Sequence, residues 1–108
     1  MAGESDIESK ACKFAASLGL YVRKFTSHNA GVPDRIIVGS LTLFLEFKDL
    51  GERPDDLQQD EIGTICAVGG YATWVDNIDD AFTIMLTTRD GDAECLRKIC
   101  DHQNYWVK

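Results

Sequence analysis

Gly31-Val32-Pro33-Asp34-Arg35-Ile36-Ile37-Val38-Gly39-Ser40-Leu41-Thr42-Leu43-Phe44-Leu45-Glu46-Phe47-Lys48 reads as a loop closed by Pro33. Two strands follow, 35–38 and 41–48, joined at Gly39-Ser40 in a hairpin. Side chains alternate across a strand, so Leu41, Leu43, Leu45 and Phe47 share one face, and Thr42, Phe44, Glu46 and Lys48 the other. A glutamate and a lysine thus leave the end of an apolar strand on the same side, as either a solvated strand end or a site. The turn decides what they meet. Centred on Ser40, it sets Asp34 opposite Glu46 with both carboxylates on one face. A strict two-residue Gly39-Ser40 loop would separate them, and a three-residue loop or a loose strand entry at Pro33 restores convergence. Two adjacent carboxylates repel unless a cation lies between them. With a lysine beside them, they point to a hard, oxygen-liganded ion such as Mg²⁺ or Mn²⁺.

Outward from this stretch, Ser5-Asp6-Ile7-Glu8 has the form of a capping box that opens a helix running to about Leu18. Ile7, Ala11, Phe14, Ala15 and Leu18 form its apolar stripe. Leu20 to Phe25 is rich in strand formers. After a loop over residues 49–56, a second helix is expected from about Asp56 to Val68, ended by Gly69-Gly70, and then a strand over Tyr71 to Val75. Asn77 can cap a short helix through Leu86. Thr87 to Gly91 reads as a turn, and a last helix covers roughly Ala93 to Asp101. The order is α-β-β-β-α-β-α-α, an α/β fold with a mixed sheet flanked by helices. The long connection through the second helix permits a parallel strand pair.

At 108 residues the chain is expected to form one domain over 1–108. It has no apolar run of the ~20 residues that span a bilayer. The polar, acidic start is unlike a signal peptide, so a cytoplasmic location is expected, that of the host if a phage encodes the chain. Cys12, Cys66, Cys95 and Cys100 contain no Cys-x-x-Cys pair and read as reduced packing residues. The net charge of −7 weighs against a nucleic-acid partner, but its distribution softens this. Residues 1–54 hold seven basic and seven acidic side chains, and residues 55–108 hold four and eleven. The half with the candidate site is neutral before any cation binds.

Asp34 preceded by proline, eleven intervening residues, then Glu46-Phe47-Lys48 resembles the Pro-Asp…(Asp/Glu)-x-Lys signature of the restriction-endonuclease-like nucleases. The continuation Arg53-Pro54-x-x-Leu57-Gln58-x-x-Glu61, then Gly69-Gly70-Tyr71, is similar to the VRR-NUC (virus-type replication-repair nuclease) family over residues 5 to about 82. That family includes small stand-alone bacteriophage proteins and a domain of eukaryotic repair nucleases. The resemblance implies that Asp34 and Glu46 hold the metal with the backbone carbonyl of Phe47, and that Lys48 activates water and steadies phosphate charge. It matches Glu8 to the acid of the family's first helix and Gln58 to its active-site glutamine. Glu8 also reads as a capping-box acid, and Gln58 as an inward amide in need of partners. Lys10, Lys13, Tyr21, Arg23, Lys24, His28, Asn29, Arg35 and Arg53 are candidate DNA contacts. The implied activity is Mg²⁺- or Mn²⁺-dependent hydrolysis of phosphodiester bonds in branched DNA, above all four-way (Holliday) junctions, by a homodimer. Phe82, Met85, Leu86 and Trp106 are candidates for its interface. The alternatives are a non-catalytic DNA-binding or assembly subunit, marked by loss of an acid or the lysine, and a metal enzyme acting on another substrate. None of those positions is lost here.

Overall fold

The computed structural model describes residues 3–104. Its elements are α1 (Glu4–Ser17), β1 (Tyr21–Lys24), β2 (Arg35–Val38), β3 (Thr42–Phe47), α2 (Asp56–Ala67), β4 (Tyr71–Val75), α3 (Ile78–Asp90) and α4 (Ala93–Gln103). The four strands form one sheet in the order β1-β2-β3-β4. The first two pairings are antiparallel and β3–β4 is parallel, with α2 as the crossover. This is the expected α-β-β-β-α-β-α-α order and mixed sheet.

Alternation along β3 divides the interior. Leu43, Leu45 and Phe47 join Ile7, Ala11 and Ala15 of α1 and Ile84 and Met85 of α3 in the larger core. Phe44 faces the other way, against Ile62 of α2 and Ala72 and Trp74 of β4. Each large apolar side chain so buried contributes about 2 kcal/mol. A slip of β3 by one residue would take Leu43, Leu45 and Phe47 out of the larger core together and drive Glu46 into it, so its facing is strongly fixed. Glu46 therefore emerges on the α2 side.

Two helix boundaries differ from expectation. The N-cap of α1 is Gly3, with no side-chain cap, and Ser5 lies inside the helix. The Ser5–Glu8 capping box does not form. The first-turn N–H of Glu4 is instead taken by the side chain of Asp49, far along the chain. Helix α3 runs on through Thr87 and Thr88 to a left-handed C-cap at Gly91 (φ 72°). The threonine hydroxyls donate to carbonyls one turn back, Thr87 to Thr83 at 2.9 Å and Thr88 to Ile84 at 2.7 Å. Polar β-branched residues that resemble a turn are satisfied here within a buried helical surface. Asn77 caps α3 by accepting from the Asp80 N–H at 2.8 Å, as expected.

Met85 is wholly buried, and the Phe82 ring stacks on Phe14 with centroids 4.2 Å apart. Both side chains help bind α1 to α3; Met85 is closed off from any partner, whereas Phe82 is half-buried. Leu86 is half-buried, and Trp106 lies outside the described residues. All four cysteines are free, and burial pushes the Cys100 thiol up to about 12. No helix among the described residues is long and apolar enough to cross a membrane.

Candidate active site

The β2–β3 hairpin pairs Val38 with Thr42 and Arg35 with Leu45. This is a three-residue loop, Gly39 to Leu41, centred on Ser40. The same register carried one step further sets Asp34 against Glu46. Carboxylate oxygens of Asp34 and Glu46, and of Glu4 from the first turn of α1, all lie within 4.8 Å of one another. Among the described residues this is the one such convergence of carboxylate, imidazole or thiol groups.

Glu46 is 4% exposed, and its Oε1 is buried with no hydrogen-bond partner. Burial first, and the Asp34 carboxylate next, push its carboxyl up to about 7, with Lys48 opposing them. Glu4 is raised as well, chiefly by desolvation, and again Lys48 pulls the other way. Three carboxylates facing one point with a buried lone pair left open form an all-oxygen donor set suited to a hard divalent cation. The residues therefore fit the ion that their pattern implies. Phe47 has its side chain in the core, so only its backbone can take part.

Gln58 ties this cluster to the lysine. Its Nε2 donates to Glu46 Oε2 at 3.2 Å, and its Oε1 accepts from Lys48 Nζ at 3.3 Å and from the Asp55 N–H at 2.9 Å. With donors on both sides of Oε1, the amide is oriented with its NH₂ toward Glu46. Asp55 completes the arrangement by accepting from the Gln58 N–H at 2.9 Å, so Asp55 and Gln58 form the capping box of α2. One glutamine side chain thus starts the helix and bridges Glu46 to Lys48.

The loop before Asp34 is seated on this helix start. A Cβ on Gly31 (φ +89°) would lie 2.5 Å from the Leu57 carbonyl group and 2.9 Å from the Gln58 N. Only glycine permits that approach.

Glu8 is not a member of the cluster. Its Oε2 accepts from Arg35 Nε at 2.6 Å in a half-buried ion pair, and Glu4, one helical turn earlier, faces Asp34 and Glu46 instead. Arg35 is correspondingly engaged. Lys10, Lys13, Lys24, His28, Asn29 and Arg53 are exposed, and the exposed Arg23 guanidinium lies 4.1 Å over the Tyr21 ring. Glu4, which joins the cluster, and Asp49 and Asp55, which bond to Glu4 and to Gln58, were not among the expected site residues. Asp55-x-x-Gln58 was legible as a capping box, and an acid in a first helical turn was the signal at Glu4.

No protein-family model and no curated protein matches the chain. Among solved structures, one described as a "VRR_NUC domain" superposes with a TM-score of 0.70 at 23% sequence identity, over 77% of this chain and 94% of that one. The sheet order, the crossover helix and the placement of the hairpin are therefore those of a known architecture: the chain is built on the fold of the VRR_NUC domain.

Proposed function

We propose that the chain is a VRR-NUC nuclease that hydrolyses DNA phosphodiester bonds with Mg²⁺ or Mn²⁺, acting on branched DNA as a homodimer. The observation that carries this reading is the meeting of Glu4, Asp34 and Glu46 within 4.8 Å, with Glu46 Oε1 buried and unpartnered. Those three carboxylates would hold the cation, with the Phe47 carbonyl as a further oxygen. A bound divalent ion supplies Lewis-acid polarisation of the phosphate and a more acidic water. Lys48, held by Gln58, places a positive charge where a phosphate gains negative charge at the transition state. Gln58 keeps Glu46 and Lys48 from pairing directly, so Glu46 keeps an oxygen for the metal and the ammonium keeps protons for substrate. A small domain covers few base pairs, and a two-fold dimer would offer paired sites to a two-fold junction.

The test is incubation with end-labelled four-way junction, flap and linear duplex, with and without Mg²⁺ or Mn²⁺. Metal-dependent cutting of the branched substrates is expected. Lys48→Ala should lower cleavage by about 100-fold or more while junction binding in Ca²⁺ stays near wild type. Asp34→Asn should lose Mn²⁺ affinity and activity together. Full activity in either variant would place the chemistry elsewhere, and binding without any metal-dependent cleavage would mark a non-catalytic subunit.

A further inference from the structure

We propose that Asp49 is a positioning residue that holds Glu4 in the carboxylate cluster by capping helix α1 from the far side of the site. The proposal rests on the metal-centre reading above and deepens it.

Helix α1 has no cap of its own: Gly3 occupies the N-cap position and offers no side chain. A helix begins with four N–H groups that lack intrahelical partners, and the positive end of its dipole favours an anion there. The Asp49 carboxylate supplies both needs, since Oδ1 accepts the Glu4 N–H across 45 positions of sequence. The residue whose amide is gripped is the one whose side chain enters the cluster. A hydrogen bond to its main chain therefore fixes where that side chain starts.

Asp49 is itself anchored. It follows Lys48, whose N–H donates to Val75 O at 2.9 Å and extends the β3–β4 ladder. The Glu52 N–H donates to Asp49 O at 2.9 Å in a turn with Gly51 at φ +86°, and the Gly51 N–H donates to Asp76 Oδ2 at 3.0 Å. The strand that delivers Glu46 and Lys48 thus ends in a braced turn whose first side chain reaches back to α1. Asp34 and Glu46 are brought together by the sheet; Glu4 comes from a separate helix and depends on this link. Asp49 is not in the convergent group itself.

The test is titration of the purified metal-free protein with Mn²⁺, following free Mn²⁺ by electron paramagnetic resonance. Asp49→Ala should weaken Mn²⁺ binding by about tenfold, the scale on which groups that orient metal ligands act. Asp49→Asn loses the charge but keeps the accepting oxygen, and should bind within about twofold of wild type on the same scale. Glu4→Gln should weaken binding as Asp49→Ala does, and the double variant Glu4→Gln/Asp49→Ala should be no weaker than Glu4→Gln alone. Asn behaving like Ala would mean that charge and not the hydrogen bond matters, and would overturn the proposal. Additive losses in the double variant, or unchanged affinity in Asp49→Ala, would overturn it too. If Asp49→Ala does not fold, hydrogen exchange at the wild-type Glu4 amide decides the matter: protection well above that of a free amide supports the bond, and exchange at the free rate overturns it. A wild-type protein that binds no Mn²⁺ would instead refute the metal-centre reading itself.

Discussion

Glu46 has a folded-state carboxyl that protonates at about 7 against an ordinary 4.5. The native state then binds a proton more tightly than the unfolded chain. The associated stability is fully present below about 4.5 and is lost as pH rises through about 7. A shift of this size is worth roughly 3 kcal/mol. In EDTA, the melting temperature of the wild type should therefore fall between pH 5 and pH 8, with the raised carboxyl of Glu4 adding to the slope. Glu46→Gln should flatten that fall, and should also remove the rise in melting temperature that Mn²⁺ produces at pH 8. Thermal denaturation with and without metal checks both. Much of this centre was legible residue by residue. The even spacing of Glu46 and Lys48 fixed their common face, and a turn centred on Ser40 brought Asp34 to it. From α1 the acid that meets them is Glu4, one helical turn before the expected Glu8, which pairs with Arg35; the two lie on one side of the helix, and the sequence pattern does not say where along its length the sheet ends.

At the scale of elements, the start of α2 is where scaffold and site are hardest to separate. Gly31→Ala would force a methyl group into the Leu57 carbonyl and an L-residue into φ +89°. A loss of about 2 kcal/mol in stability is expected, together with reduced cleavage as Gln58 is displaced. Chemical denaturation and a junction-cleavage assay would show the two effects in one variant. Asp55→Ala removes the N-cap and should cost about 1 kcal/mol. It leaves the Gln58 contacts to Glu46 and Lys48 available, so activity should suffer less than in Gly31→Ala. Elements with strong periodicity, such as β3 and the apolar stripe of α1, were readable in advance. The extension of α3 through Thr87 and Thr88 was not, because their suitability for a helix arises from burial and from carbonyls one turn back.

For the whole molecule, the net charge of −7 means that any DNA affinity would depend on a few exposed cations and on a metal, if bound at the carboxylates. Junction affinity in Ca²⁺ should fall at least about tenfold between about 50 and about 200 mM NaCl, as expected when only two or three phosphates are neutralised. A salt-independent affinity would exclude phosphate contact as the main source of binding. Light scattering at micromolar concentration should give twice the 12.0 kDa chain mass. A monomer would undercut paired cutting of a junction without touching single-strand nicking. The order of elements and the mixed sheet followed from the sequence pattern. A surface for a partner did not, because Met85, apolar in sequence, is buried between α1 and α3, and Phe82 stacks on Phe14.

The loop from Gly39 to Leu41 carries a liability out of proportion to its size. Ile36, Ile37 and Val38 are apolar on both faces of β2, so the interior has little means of telling that strand from the same strand turned over. What holds it is the residue count of the turn. Closing the turn two residues after Val38, so that Val38 meets Leu41 in place of Thr42, would set Asp34 against Leu45 and turn it from Glu46. Gly39→Asn/Ser40→Gly, the dipeptide that favours a two-residue turn, should therefore weaken Mn²⁺ binding, read by titration, with every carboxylate still in the chain.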